Sequence, residues 1–116
     1  MNLNELTIVE AAEGLRNKKF TSVELTRACL DRIATRNPEV NAFITVSDES
    51  ALGEAAAADA RIASGKGEAL TGIPFSVKDA ICTEGVRSTG SAKILDNYIP
   101  PYEATVIRKI RASGGV

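Results

Sequence analysis

Apolar residues recur at helical spacing in three stretches before residue 65, and beyond it the pattern becomes that of extended and irregular chain. Ile8, Ala11, Ala12 and Leu15 stand three or four positions apart within residues 7–18, predicting a short helix closed by the polar, basic turn of Asn17, Lys18 and Lys19. Thr21 and Glu24 have the spacing of a capping box, in which each side chain satisfies a free backbone donor of the other's turn. They open a helix predicted over residues 22–36, with Val23, Leu25, Cys29, Leu30 and Ile33 on one face and Glu24, Arg27 and Asp31 opposite. Pro38 steers Asn37 away from helical angles, so this helix is expected to end there. A third helix is predicted over residues 49–64, capped by Ser47 or Asp48, with Leu52, Ala55, Ala56, Ile62 and Ala63 on one side. Its alanine run at 55–58 has high helix propensity and little bulk, which allows close approach but buries little area.

Residues 42–46, AFITV, are β-branched and aromatic enough for a strand or an extended link. Gly65 and Gly67 then mark a loop. Residues 75–78 predict a short buried strand, Phe75 and Val77 on one face and Ser76 and Lys78 on the other. Residues 83–92 are polar and irregular, with Gly85 and Gly90 as turn points. Asp79 is expected to hold the backbone of the turn before Gly85. Pro100 and Pro101 start a last helix predicted over 103–113, its buried stripe Val106, Ile107 and Ile110, ended by Gly114 and Gly115. A strand, a crossover and a helix lying back on the sheet lead to a parallel neighbour, expected to begin at Val116. The fold class expected is therefore α/β. Residues 1–66 would form an N-terminal helical layer, and residues 67–116 the first strand-crossover-helix unit of a mixed sheet that continues beyond the chain.

Composition narrows the function classes. The chain has 116 residues, enough for one small domain. A formal net charge of -1 gives no electrostatic basis for gripping nucleic acid. There is no histidine, and Cys29 and Cys82 lack zinc-ligand or redox spacing, so no metal site is expected and both cysteines read as small core residues of a reducing compartment. Residues 1–10 carry no basic start followed by a long apolar run. The expected location is the cytoplasm, although an organellar protein after processing would look the same.

Lys78 is the residue with chemical potential, and it admits two roles. It can end an edge strand and reach into solvent. It can also sit desolvated in a cleft and serve as a base, since lysine is almost never buried without a reason.

The string GIPFSVKD at 72–79, followed by EGVRSTGS at 84–91, resembles the amidase signature family, serine amidohydrolases with a Ser, cis-Ser, Lys triad. AKILDNYIPPYEATV at 92–106 is similar to one branch of it, the A subunits of glutamyl-tRNA(Gln) amidotransferases, whereas Thr89, Gly90, Ser91 and Ala92 stand closer to general amidases than to the Cys-Ala-Ser run frequent in that branch. The resemblance makes Lys78 the triad lysine, with Thr89 and Ser91 candidates for supporting contacts around it. It places both serines beyond residue 116, so this chain would carry only the lysine and be inactive alone. It further implies glutamine or a small amide as substrate, B and C subunits as partners, and ATP and magnesium as needs of the parent assembly, with no cofactor in this chain. No direct nucleic-acid or membrane contact is expected here. Two alternatives stay open: a stand-alone small-amide amidase, and a non-catalytic helical interaction module with an incidental surface lysine.

Overall fold

The computed structural model describes residues 1–116. After a 3-10 turn at Leu3–Glu5 come α1 (Ile8–Arg16), α2 (Ser22–Val40) and α3 (Asp48–Ala63). A long irregular segment with a second 3-10 turn at Lys93–Leu95 leads to α4 (Thr105–Ala112). Capping explains where α1 and α2 begin. Thr7 and Glu10 form a full capping box, as do Thr21 and Glu24, whose carboxylate accepts from the Thr21 amide at 2.8 Å while the Glu24 amide donates to the Thr21 hydroxyl at 3.1 Å. The expected Ser47 cap makes no side-chain hydrogen bond, and Asp48 and Glu49 instead bring negative charge to the first turn of α3.

The endings follow one pattern. In α1, α3 and α4 a left-handed residue, respectively Lys18, Gly65 and Gly114, turns the chain so that the next amide reaches back to an orphan carbonyl of the last turn. The helix α2 departs from expectation by running through Pro38 to Val40. Proline so near a helix end sacrifices one hydrogen bond, and Asn37 is held helical from both sides. Its carbonyl accepts from the Asn41 amide at 2.8 Å, and its side chain pairs with both the amide and the carbonyl of Phe43. Helix α4 likewise begins two residues later than expected. The prolines are committed elsewhere: buried Pro100 accepts from the Gly85 amide at 3.1 Å, and the Ala104 amide donates to Cys82 at 2.9 Å.

The expected sheet unit is absent. No β-strand forms, and the only bridge is an isolated antiparallel one between Thr83 and Val86. Residues 75–78 keep the expected alternation of exposure, with Phe75 and Val77 half-buried and Ser76 and Lys78 exposed. A strand nevertheless requires a ladder. The Phe75 amide donates to Val116 at 2.8 Å and the Val116 amide to Ile73 at 3.0 Å, the slanted pattern of a parallel pair, but the amides of Ser76, Val77 and Lys78 donate to no group of this chain. Residues 42–46 form no strand either, and the chain bends at Ile44.

The interior is small, with 18 of 116 residues buried, so precise contacts matter more than bulk. One cluster joins Ala11, Leu15, Phe20, Leu25 and Ile73, another Ala55, Ala58 and Val116. The Phe20 ring lies so close over Gly14 that a β-carbon there would fall 2.3 Å from it. The expected faces shift accordingly: Ser22, Leu25 and Thr26 are the buried positions of α2, Ala56 and Ala63 of α3 are exposed, and of the α4 stripe Ile107 is buried, Ile110 half-buried and Val106 exposed.

Ser22 ties three elements together. Its amide donates to Asp59 of α3 at 2.7 Å, the Val23 amide donates to the same carboxylate at 3.2 Å, and its hydroxyl donates to the Gly72 carbonyl at 2.8 Å. Asp59 thus caps a helix other than its own. Replacing it by alanine leaves two helix-terminal donors without their charged acceptor, a change worth about 1–2 kcal/mol. We expect Asp59→Ala to accelerate hydrogen exchange of the Ser22 and Val23 amides at least about tenfold, with little change at the Thr7 cap of α1. Uniform acceleration across α1 and α2 would show that Asp59 acts through packing instead.

Candidate active site

A groove of about 880 Å³ lies between α2 and the segment that follows Gly72. Phe43, Ile44, Thr45 and Val46 form one wall, Phe75 to Asp79 another, and α2 supplies Thr26, Cys29 and Ile33. Thr26 is 2 % exposed, and its hydroxyl has no hydrogen-bond partner. Cys29, half-buried, has its thiol pKa pushed up by burial, which keeps it protonated and unreactive. Cys82 is also a free thiol, its sulfur 3.7 Å from the Tyr102 hydroxyl.

Lys78 lines this groove. It is exposed, and its ammonium makes no hydrogen bond or ion pair within the chain. Its backbone carbonyl accepts from the Ile81 amide at 2.9 Å, which turns the chain just past it.

Asp79 is engaged by the loop that follows. Its carboxylate accepts from the Thr89 amide at 2.9 Å, from the Thr89 hydroxyl, and from the Ser91 amide at 3.1 Å, while its carbonyl accepts from Gly90 at 3.1 Å. These bonds, together with the positive charge of Arg87, hold its pKa below the ordinary value of 3.8; the Thr89 hydroxyl contributes most. Asp79 therefore does hold a turn, but the one at 89–91 and not the one before Gly85. Residue type pointed to the role and not to the partner, because any of several nearby backbone turns suits an aspartate.

Of the three candidate residues, Lys78 and Ser91 both border the groove, and Thr89 lies behind it, 3 % exposed, its hydroxyl spent on Asp79. Ser91 is exposed, with a left-handed backbone at φ 60°. Arg87 was not anticipated. It clasps Asp96 through an ion pair and a bond to the Asp96 carbonyl, and reaches Thr45 at 3.3 Å, joining the irregular segment to the far wall of the groove. No local sequence signal marks a bond between residues 42 positions apart.

Comparison with known proteins places this groove in context. The Amidase family profile matches residues 24–116. The A subunit of the glutamyl-tRNA(Gln) amidotransferase of Saccharophagus degradans is 49% identical over 114 residues, covering 98% of this chain and 24% of that protein. Its namesake in Marinomonas sp. is 53% identical over 112 residues, 97% of this chain and 23% of the relative. The chain thus spans about a quarter of the length of these relatives. Among solved structures, the native peptide amidase of Stenotrophomonas maltophilia superposes with a TM-score of 0.90 at 28% identity, over 97% of this chain and 23% of that one.

The Asp79 turn makes a testable statement about pH. Its carboxyl has a folded pKa below the unfolded one, so the stabilisation it gives the turn is present above the ordinary carboxylate range and is lost as pH falls through the folded value. We expect the amide resonances of Thr89 and Ser91 to titrate together with a midpoint below 3.8. Separate midpoints, or one at or above the ordinary value, would contradict the shared carboxylate.

Proposed function

Because this chain belongs to the amidase family, we propose that it is the lysine-bearing part of the A subunit of a glutamine-hydrolysing amidotransferase, with Lys78 as the base. The observation that carries this is the free ammonium of Lys78 on the wall of the groove, on a chain about half identical to relatives of that name. In this reading a serine attacks the amide carbonyl of glutamine and forms an acyl-enzyme. The serine proton passes through a second, cis-configured serine to the lysine, and a proton returns to the departing nitrogen, so that ammonia leaves. Water then releases glutamate. Both serines are to be sought in the part of a relative-length protein outside these residues.

A base must be neutral before it acts, and an exposed amine in water is not. The remainder of a relative-length protein is assigned the task of covering Lys78 and drying the groove, since residues 1–116 leave it accessible. Backbone donors near the nucleophile would stabilise the oxyanion, typically worth a factor of roughly 100 to 1000 in rate. The ammonia would then serve amidation of glutamate on a mischarged tRNA in an assembly with B and C subunits that uses ATP and magnesium. The family's layout further suggests residues 1–66 as a helical layer and 67–116 as the start of the catalytic core, in a cytoplasmic protein.

A second reading is a stand-alone amidase for small amides. It is favoured by Thr89, Gly90, Ser91 and Ala92 and by the likeness to a peptide amidase. Ammonia release from glutamine, compared with release from simple carboxamides by the full-length protein without partners, separates the two.

Two outcomes test the lysine. The 116-residue chain alone should hydrolyse glutamine no faster than a buffer blank, because one member of a catalytic unit retains little of its rate. In the full-length protein Lys78→Arg should be nearly as damaging as Lys78→Ala, since a guanidinium stays charged. Retention of more than about a tenth of wild-type turnover by Lys78→Arg, roughly 1.4 kcal/mol in barrier, would remove the proton-accepting role.

A further inference from the structure

We propose that Asp79 is a positioning residue whose negative charge is drawn away from Lys78 by the turn at 89–91, so that opening this turn and deleting this charge move the reaction's pH dependence in opposite directions. The proposal rests on the reading of Lys78 as the base.

An aspartate directly after a lysine that must become neutral is a chemical conflict, because a nearby carboxylate favours the protonated amine. The geometry resolves it. The chain turns just past Lys78, where the Ile81 amide donates to the Lys78 carbonyl at 2.9 Å, and although both residues border the groove the Asp79 carboxylate is bonded to the loop at 89–91. Three donors then meet its carboxylate: the Thr89 amide at 2.9 Å, the Thr89 hydroxyl and the Ser91 amide at 3.1 Å. Arg87 is the charged group that acts on this carboxylate, Thr89 and Ser91 being uncharged, and the groove that Lys78 lines also carries Arg32, Glu54 and Arg111. Arg87 is itself held in place by Asp96.

The turn is built at a cost. Gly90 and Ser91 are both left-handed, at φ 57° and 60°, and a serine in that region is strained in a way glycine is not. Hydrogen bonds to Asp79 hold it there, and the Ser91 amide also lies 3.1 Å from the Thr89 hydroxyl. Thr89 is the centre of this arrangement. It is 3 % exposed and gives both its donors to one carboxylate. The strained turn, anchored by buried Thr89, serves two ends at once, fixing Ser91 on the edge of the groove and keeping the carboxylate occupied.

The experiment uses the full-length protein and measures ammonia release from glutamine, or from a small carboxamide if glutamine is not cleaved, as kcat/KM against pH at low ionic strength. The acid limb of that profile reports deprotonation of the base. Thr89→Val removes the hydroxyl, frees the carboxylate towards Lys78 and should move the limb to higher pH, by roughly half a unit or more. Asp79→Asn removes the charge and should move it to lower pH. Thr89→Ser keeps the hydroxyl and should restore the wild-type limb. A merely structural turn would lower rates in both variants without displacing the limb, and that result, or displacement of both in one direction, overturns the proposal. If Thr89→Val does not fold, Asp79→Asn decides, an unmoved or raised limb being the overturning result. Wild-type turnover in Lys78→Ala would instead strike the base assignment itself, a failure distinguishable from that of the turn.

Discussion

The bonds around Ser22 are the constraint on which the arrangement of this chain depends. A fully buried serine at the start of α2 carries an amide that must find an acceptor and a hydroxyl that must find a partner. The amide finds Asp59 of α3, and the hydroxyl finds the Gly72 carbonyl. Gly72 can come this close only because it lacks a β-carbon, which would stand 3.0 Å from the Ser22 side chain, and its φ of 81° suits glycine alone. From Gly72 the chain proceeds directly to Ile73 and Phe75, where Val116 is bonded, and on to Lys78. The backbone position of the candidate base is thus set, through a short run of chain, by a hydrogen-bonded junction of α2 and α3.

A second junction closes the other end. Arg111 of α4 bonds Glu54 of α3 at 2.5 Å and also pairs with Glu103, so its guanidinium bridges α3 to the start of its own helix. The two carboxylates raise the Arg111 pKa against the opposing effect of burial, which is the larger single influence. Arg61 adds a bond to the Ala112 carbonyl at 2.9 Å, and the Thr71 hydroxyl one to Ser113 at 2.7 Å. With so little apolar interior, directional contacts of this kind do most to fix how α3, α4 and the segment at 70–75 lie together. Alanine at 55 and 58 makes this possible by letting Val116 and the segment near it approach the helix closely.

What sequence could tell follows from how local each feature is. The capping box at Thr21 and Glu24 and the terminal turn at Gly114 are written within a few residues, and both are present. Helix α2 outran its forecast because the hold on Asn37 comes from Phe43, beyond the proline that was expected to stop it. The strand at 75–78 failed for the opposite reason: its residues have the right alternation, but a ladder needs partners that no run of four residues supplies. Lys78 was identifiable by its contrast with Phe75 and Val77 and by the GIPFSVKD string. Its exposure was not, since burial is decided by whatever packs over it. The partner of Asp79 and the span of Arg87 to Thr45 likewise depend on how the loop folds back, which residue types alone do not encode.

The segment around Lys78 is fixed at its two ends rather than along its length. The Ser22 hydroxyl holds the Gly72 carbonyl at one end, and the Asp79 carboxylate holds the turn at 89–91 at the other. Between them the amides of Ser76, Val77 and Lys78 donate to no group of this chain, and the Lys78 side chain is exposed. The backbone at Lys78 is therefore positioned by two hydrogen-bonded junctions, whereas the course of its side chain is not. Substitutions at the Ser22 junction should accordingly displace the segment from its Gly72 end while leaving the Asp79 turn in place.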